Sequence, residues 1–229
     1  AIRNLSRGHL PPRSGQHSHA WSDGLAMRVA PVGVAAAGNP RLAADLAWED
    51  GLVSHSGEGI YAGQAIAAAV ASAMDGNPID KIFSDALAVV EPDSWTARLM
   101  LDAERLVSSS SNWADLAVRA GEQLTCLDYY WADLAPEAVS LTFVAILGGS
   151  GDFSTSVLNA VNLGRDADTI AAMTGGIVGA MTGVAGIPSE WLPAVTEAPG
   201  VCLHATKGMN PLTVADDLAA LAQTGAVKK

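Results

Sequence analysis

Two aspartates, Asp166 and Asp168, stand two residues apart in the stretch NLGRDADTIAAMTGG, which runs from Asn162 to Gly176. Thr169 follows directly, so two carboxylates and a hydroxyl lie together where a loop enters a long uncharged run. Carboxylate and hydroxyl oxygens suit a hard cation such as Mg²⁺ or Mn²⁺ better than they suit zinc. The spacing therefore predicts a metal site at the start of a helix.

The same spacing has a second interpretation, in which one aspartate caps the helix and complements its dipole. One carboxylate is enough for a cap. A second one close by is unfavourable unless a cation or a proton offsets the repulsion. A calcium-binding EF-hand is excluded because its long acidic loop with a closing glutamate is absent. On spacing alone, the cap and the metal site both stay open.

The elements that must position these residues are predicted to be helices. Apolar residues recur at helical spacing through most of the chain, Ala, Gly and Leu are abundant, and no segment alternates strictly. We therefore expect an all-α protein with one compact domain. Its opening segment, rich in Arg, His, Ser, Pro and Gly, is expected to be irregular. Three helix starts are predicted by Asn-Pro pairs, in which a capping side chain precedes a proline: Asn39-Pro40, Asn77-Pro78 and Asn210-Pro211.

The run from Ile170 to Ile187 carries no charge and is just long enough to raise the question of a membrane span. Its glycines and threonines lower its hydrophobicity, and no basic flank anchors it. We interpret it as the central buried helix of a soluble core, where small residues at three- and four-residue spacings let neighbouring helices approach closely.

Charge and cysteine content exclude several classes of function. A net charge of −11 with scattered basic residues opposes binding to nucleic acid. The N-terminal segment lacks the apolar core of a signal peptide, which favours a cytoplasmic location without membrane attachment. Cys126 and Cys202 lie far apart and outside any CxxC element, so we expect two reduced structural thiols.

Four segments of the chain resemble the ADP-ribosylglycohydrolase family, which includes the dinitrogenase reductase-activating glycohydrolase. The most specific is NLGRDADTIAAMTGGIVGAMTG, which is similar to the family's C-terminal signature. WSDGLAMRVAPVG from Trp21 resembles the substrate loop, SHSGEGIYAGQAIAAAVASAM the helical segment that follows, and IPSEWLPAV the stretch after the signature helix. The resemblance implies an orthogonal helical bundle of that family over residues 21–229, which leaves residues 1–20 as the irregular N-terminal segment expected from their composition.

By that resemblance the chain is a hydrolase that cleaves the glycosidic bond between ADP-ribose and an acceptor, which is either a protein side chain or a small molecule. Two Mg²⁺ ions are implied, with Mn²⁺ as a substitute. Asp166, Asp168 and Thr169 become metal ligands, and the two aspartates also become catalytic carboxylates, one of which accepts a proton from water. Which carboxylate is the base stays open.

The substrate-binding residues implied by the resemblance are Trp21, Ser22, Asp23 and His55. An Asn often stands at the position of Asp23, and a carboxylate there is unfavourable beside a diphosphate unless it faces ribose hydroxyls or the metal. Trp21 either stacks on the ligand or covers core. His55 aligns with a histidine near the phosphates, and without the family it would be a helix-terminal histidine that serves the dipole.

The chain departs from the family in lacking an N-terminal Thr-Asp-Asp element that supplies further metal ligands. Residues 1–20 contain no Asp or Glu. Three explanations are open: the chain is the C-terminal part of a longer enzyme, it associates with a separate chain, or it has kept the scaffold and lost the reaction. We expect the first. The alternative function is a non-catalytic ADP-ribose-binding or structural protein.

Overall fold

The computed structural model describes residues 1–201 and 203–224, and within them every regular element is helical. The all-α prediction is confirmed. The α-helices, in chain order, are α1 (Ile2–Leu5), α2 (Ala30–Ala35), α3 (Pro40–Gly51), α4 (Glu58–Met74), α5 (Ile79–Ala88), α6 (Trp95–Ser109), α7 (Trp113–Gln123), α8 (Ala135–Gly148), α9 (Phe153–Leu163), α10 (Ala167–Thr182) and α11 (Pro211–Thr224). Short 3₁₀ turns join several of them, and among the described helices none is long and apolar enough to cross a bilayer.

Two of the three predicted Asn-Pro starts are confirmed. The side chain of Asn39 accepts a hydrogen bond from the backbone N–H of Leu42, and Asn210 Oδ1 accepts one from Leu212. The prediction for Asn77 is wrong. Its side-chain amide donates to the carbonyl and hydroxyl oxygens of Ser72 at the end of α4, so it closes the preceding helix rather than opening α5.

The centre of the molecule is formed by α4 and α8. Almost every side chain of these two helices is buried, including polar ones such as Glu58 and Glu137. Around α4 pack α2, α3, α5, α8 and α10, and around α8 pack α6, α9 and α10. Phe83 and Phe143 meet edge to face between these layers, with ring centroids 5.1 Å apart. Helix α4 is rich in alanine, which allows this many neighbours to surround one helix.

The prediction that the run after Asp168 is the central buried helix is wrong. Helix α10 ends at Thr182, where Gly183 adopts a φ of 64°, and it buries only one face. The buried face consists of Thr169, Ile170, Met173, Thr174, Ile177 and Val178. Glycine, alanine and threonine tolerate exposure as well as burial, so a lack of charge did not reveal which side faced the core.

Close helix packing occurs on α4 instead of α10. A Cβ placed on Gly59 would lie 2.4 Å from the carbonyl oxygen of Ala20, and one on Gly63 would lie 2.5 Å from the side chain of Leu25. The same test at Gly179 of α10 gives an ordinary contact of 3.6 Å. Helix α4 therefore provides the surface against which the loop that begins at Ala20 packs.

Candidate functional site

The segment from Trp21 to Asp23 is fixed by backbone hydrogen bonds to the residues that precede α8. The N–H of Asp23 donates to the carbonyl of Asp133 at 2.8 Å, and the N–H of Ala135 donates to the carbonyl of Trp21 at 2.9 Å. These bonds form an isolated antiparallel bridge between Ser22 and Leu134. Because the other side of the segment rests on Gly59, its backbone has little freedom to move.

Asp23 and Asp166 meet at this site, although they are far apart in the sequence. Asp23 is 2 % exposed, and its Oδ2 has no hydrogen-bond donor among the described residues. Burial raises the pKa of Asp23 to about 9, and the adjacent carboxylate of Asp166, which accepts a hydrogen bond from the protonated form, raises it further; Asp133 adds to the same effect. Two negative charges are therefore unfavourable at this site in the absence of a cation.

The start of α10 presents the other predicted residues in different environments. Asp166 occupies the N-cap position, but its side chain accepts no hydrogen bond from the helix, so the simple capping interpretation is not supported for it. Asp168 is exposed in the first turn of α10. Its side chain makes no hydrogen bond or ion pair with another residue that the structure describes. Thr169 is buried, with its hydroxyl 3.8 Å from the sulfur of Met27.

His55 is buried beneath the loop and is neutral. Its Nε2 lies 3.3 Å from Ser22 Oγ, and its Nδ1 lies 2.8 Å from Ser54 Oγ. Burial lowers the pKa of His55 to about 4, and the nearby Arg28 lowers it further. A guanidinium can only donate, so Ser54 Oγ accepts a hydrogen bond from Arg28 and can donate one through its own O–H to Nδ1. Nδ1 is then the acceptor, which leaves the ring proton on Nε2 facing Ser22.

Arg28 itself forms an ion pair with Asp50 at 2.9 Å. The pair is half-exposed at the edge of the loop. It ties the 3₁₀ turn Ala26–Arg28 to the end of α3. Arg28 is thus occupied in holding the loop.

Aromatic side chains lie in the loops that carry Asp23 and Asp133. Trp21 is 43 % exposed, and its indole nitrogen lies against Gly57. The ring centroids of His19 and Trp131 lie 4.0 Å apart in a tilted arrangement, and Trp131 also contacts Tyr130 edge to face. His19 Nε2 lies 2.6 Å from Asp133 Oδ2. An open aromatic surface therefore borders a buried acidic centre.

The oxygen atoms of Asp23 and Asp166 have the right chemistry for a hard divalent cation, and such an ion would offset the repulsion between the two carboxylates. Among residues 1–201 and 203–224, however, no group of three or more His, Cys, Asp or Glu side chains is arranged to hold a metal. The pair therefore fits part of a coordination shell, with Asp168 in the first turn of α10 as its nearest acidic neighbour in the sequence. Other ligands would have to complete the shell.

A family model described as ADP-ribosylglycohydrolase matches residues 1–227. The chain belongs to this family. The family fits the all-α fold and includes the signature around Asp166 that the sequence suggested.

Three relatives extend the comparison. A protein described only as uncharacterized from Archaeoglobus fulgidus is 33% identical over 202 residues, which cover 86% of this chain and 60% of that protein. The ADP-ribosylarginine hydrolases Tri1 of Pseudomonas putida and Serratia proteamaculans are each 46% identical over 46 residues, 20% of this chain and 12% and 13% of theirs. The chain thus spans about 60% of the length of its archaeal relative.

Several residues of this site were not found by sequence reasoning. Asp133 approaches Asp23 because the segments before α2 and α8 pair, a long-range contact with no local signal. Arg165 and Glu137 form an ion pair in which Glu137 is buried and Arg165 is partly buried. Arg165 stands inside the quoted motif, but its partner lies in another helix. Of the predicted thiols, Cys126 is free, and Cys202 lies outside the described residues.

Proposed function

We propose that the chain carries part of the active site of a Mg²⁺-dependent hydrolase that cleaves the glycosidic bond between ADP-ribose and an acceptor side chain or small molecule. Membership of the ADP-ribosylglycohydrolase family supports an ADP-ribosyl hydrolase activity. The observation that carries the proposal is the pairing of Asp23 with Asp166. Two carboxyl groups brought together from distant segments, one of them buried without a partner for Oδ2, form a site that a cation would stabilise.

In this proposal Asp23 and Asp166 hold the first Mg²⁺, and Asp168 and Thr169, two and three residues further along in the first turn of α10, contribute to a second. Water and ligands from outside the chain complete both shells, and Mn²⁺ can substitute for Mg²⁺. When bound, the ions orient ribose hydroxyls and supply positive charge beside the diphosphate. This placement answers the question raised by Asp23, whose carboxylate faces a metal ligand rather than a phosphate.

The chain's own residues provide binding and proton transfer. The acidic centre alone would repel an anionic diphosphate, so ligand binding is expected to require the cation. Trp21 offers an exposed indole for stacking on a ring of the substrate. His55 is neutral, so it can hold Ser22 in place or donate a hydrogen bond, but it offers no charge to the phosphates. Asp166 or Asp168 accepts the proton of the attacking water.

Arginine is the acceptor that we place first. The two Tri1 relatives are named ADP-ribosylarginine hydrolases, and a guanidinium suits an entrance lined by aromatic rings and carboxylates. We further propose that the protein acts in the cytoplasm.

A second candidate is a non-catalytic protein that binds ADP-ribose on the same scaffold. One observation favours it, namely that the described residues assemble two close carboxyl groups rather than a complete metal cluster. It predicts binding of ADP-ribose without turnover.

The deciding experiment is a panel assay on the longest natural polypeptide that contains this chain. ADP-ribosylated arginine, serine and small-molecule acceptors are offered with and without Mg²⁺. We expect release of ADP-ribose only with the metal, and a loss of at least about 100-fold in Asp166→Asn and in Asp168→Asn. The matched control is Asp102→Asn, on the exposed face of α6, which should retain full activity. Undiminished turnover in both site variants, or binding without any turnover, would reject the hydrolase proposal.

A further inference from the structure

Glu137, in the first turn of α8, is a buried carboxylate whose oxygens both have partners. It is 0 % exposed. Its Oε1 accepts a hydrogen bond from Arg165 Nε, and its Oε2 accepts from the Arg165 guanidinium at 3.3 Å and from the Cys126 N–H at 2.7 Å. The guanidinium also donates to the carbonyl oxygen of Cys126 at 3.3 Å. Glu137 therefore connects the loop before α8 to the turn before α10.

Arg165 has a backbone conformation that non-glycine residues rarely adopt. Its φ is 57°, directly after Gly164 with a φ of 75°. In the part of the chain that the structure describes, Ser150 is the other non-glycine residue with a positive φ. Such a conformation persists only where surrounding contacts enforce it. Glu137 accepts hydrogen bonds from two nitrogens of the guanidinium, and these contacts hold Arg165 in that conformation.

The consequence of this turn is seen at the next residue. An aspartate at the N-cap normally turns its side chain back to accept the N–H of the second or third helical residue. Asp166 does not, because its carboxyl group lies instead beside Asp23. The Asp166 side chain therefore has the orientation that the candidate site needs, which is not the one that N-cap residues usually adopt.

We propose that the Glu137–Arg165 ion pair is a positioning device that keeps the Asp166 carboxylate turned away from α10 and toward Asp23. Neither residue touches substrate or metal in this arrangement. The inference deepens the proposed function, because it concerns the same site. Its structural part stands on the conformation of Asp166 alone.

The first test is a crystal structure of Arg165→Gly. Glycine tolerates the left-handed backbone, so the variant removes the guanidinium without adding strain. We expect the Asp166 side chain to rotate and accept a hydrogen bond from the N–H of Asp168 or Thr169. An Asp166 that still contacts Asp23 would overturn the proposal. Ser150→Gly is the matched control, because it relieves a left-handed residue far from the ion pair in the sequence and should leave Asp166 unmoved.

The second test uses Glu137→Gln, which keeps the shape of the side chain and the acceptor for Cys126 but removes the charge. The same rotation of Asp166 is expected, and it decides the question even if Arg165→Gly does not fold. In an active full-length polypeptide, both variants should lose at least about tenfold in kcat, with KM for ADP-ribosylated arginine within about twofold, because the pair orients a group without binding substrate. Arg165→Lys, which can contact Glu137 through one point, should recover part of that loss.

The two proposals can fail separately. A rotated Asp166 together with an inactive parent protein would support the positioning role and reject hydrolysis. An unrotated Asp166 in an active parent would do the reverse. A loss of kcat in which Asp166 stays in place would also count against the positioning device, because the pair would then act only through stability.

Discussion

Helices α4 and α10 both contain long uncharged runs rich in glycine and alanine, yet they have different roles in the molecule. Helix α4 is buried on nearly all sides, and its glycines bring another segment's backbone into direct contact. Helix α10 buries one face, and its glycines leave ordinary room for a side chain at Gly175 and Gly179. Helix α4 supplies a rigid packing surface for the Trp21–Asp23 loop, and helix α10 carries Asp166 at its N-cap position.

Small uncharged residues therefore do not by themselves indicate a central helix. What distinguishes α4 is that its small residues face elements from several directions. What distinguishes α10 is the turn that precedes it, where two successive residues have positive φ values. The candidate site between the two helices therefore combines the rigid surface of α4 with the strained turn before α10.

The largest effect is expected from Gly59→Ala. The added methyl would lie 2.4 Å from the Ala20 carbonyl oxygen, and backbone atoms cannot move aside cheaply. We expect the free energy of unfolding to fall by about 3 kcal/mol, as measured by urea denaturation. Gly121→Ala in α7, where no atom lies within 4 Å, is the control and should be neutral or stabilising. Equal stability of the two variants would show that the loop at Ala20 does not pack closely against α4.

The next effect concerns Asp23→Asn in buffer without divalent metal. The folded pKa of Asp23 is about 9, above its usual 3.8, so the folded protein holds one more proton in that range. Its contribution to stability is therefore complete below pH 3.8 and is lost as the pH rises toward 9. The variant should lose this pH dependence and raise Tm above neutral pH by at least about 3 °C. An unchanged slope in thermal denaturation from pH 5 to 9 would place Asp23 in contact with water.

A smaller effect of the opposite sign is expected for His55→Gln. Burial lowers the folded pKa of His55 to about 4 from 6.5, so its contribution is present above pH 6.5 and is lost as the pH falls toward 4. The variant should flatten the acid side of the stability profile. His204→Gln, at an exposed histidine, is the control and should keep the parent slope. Parallel slopes in parent and His55→Gln would contradict the burial of a neutral ring.

The smallest effect is expected from Gly179→Ala. The nearest atom to an added Cβ is Phe153 Cε2 at 3.6 Å, an ordinary contact, and alanine is the better helix former. Unfolding experiments should show a gain of about 0.5–1 kcal/mol. A clear loss would mean that α10 is packed as tightly as α4.

The helices were largely predictable because their apolar spacing and caps are local properties of the sequence. The acidic element around Asp166 was predictable for the same reason. The partner of Asp166 in space was not, because Asp23 reaches it through the pairing of two loops. The Arg165 turn was also missed, since its left-handed backbone depends on Glu137 in a different helix. Burial of α10 was mispredicted because the sequence does not say which face of a small-residue helix is covered.

The most direct test of the central claim is an anomalous-diffraction map from crystals soaked with Mn²⁺ at a concentration that saturates a millimolar site. We predict a peak within about 2.3 Å of one carboxylate oxygen from each of Asp23 and Asp166. A map without a peak there, in which the two carboxyl groups keep their direct contact, would contradict the claim.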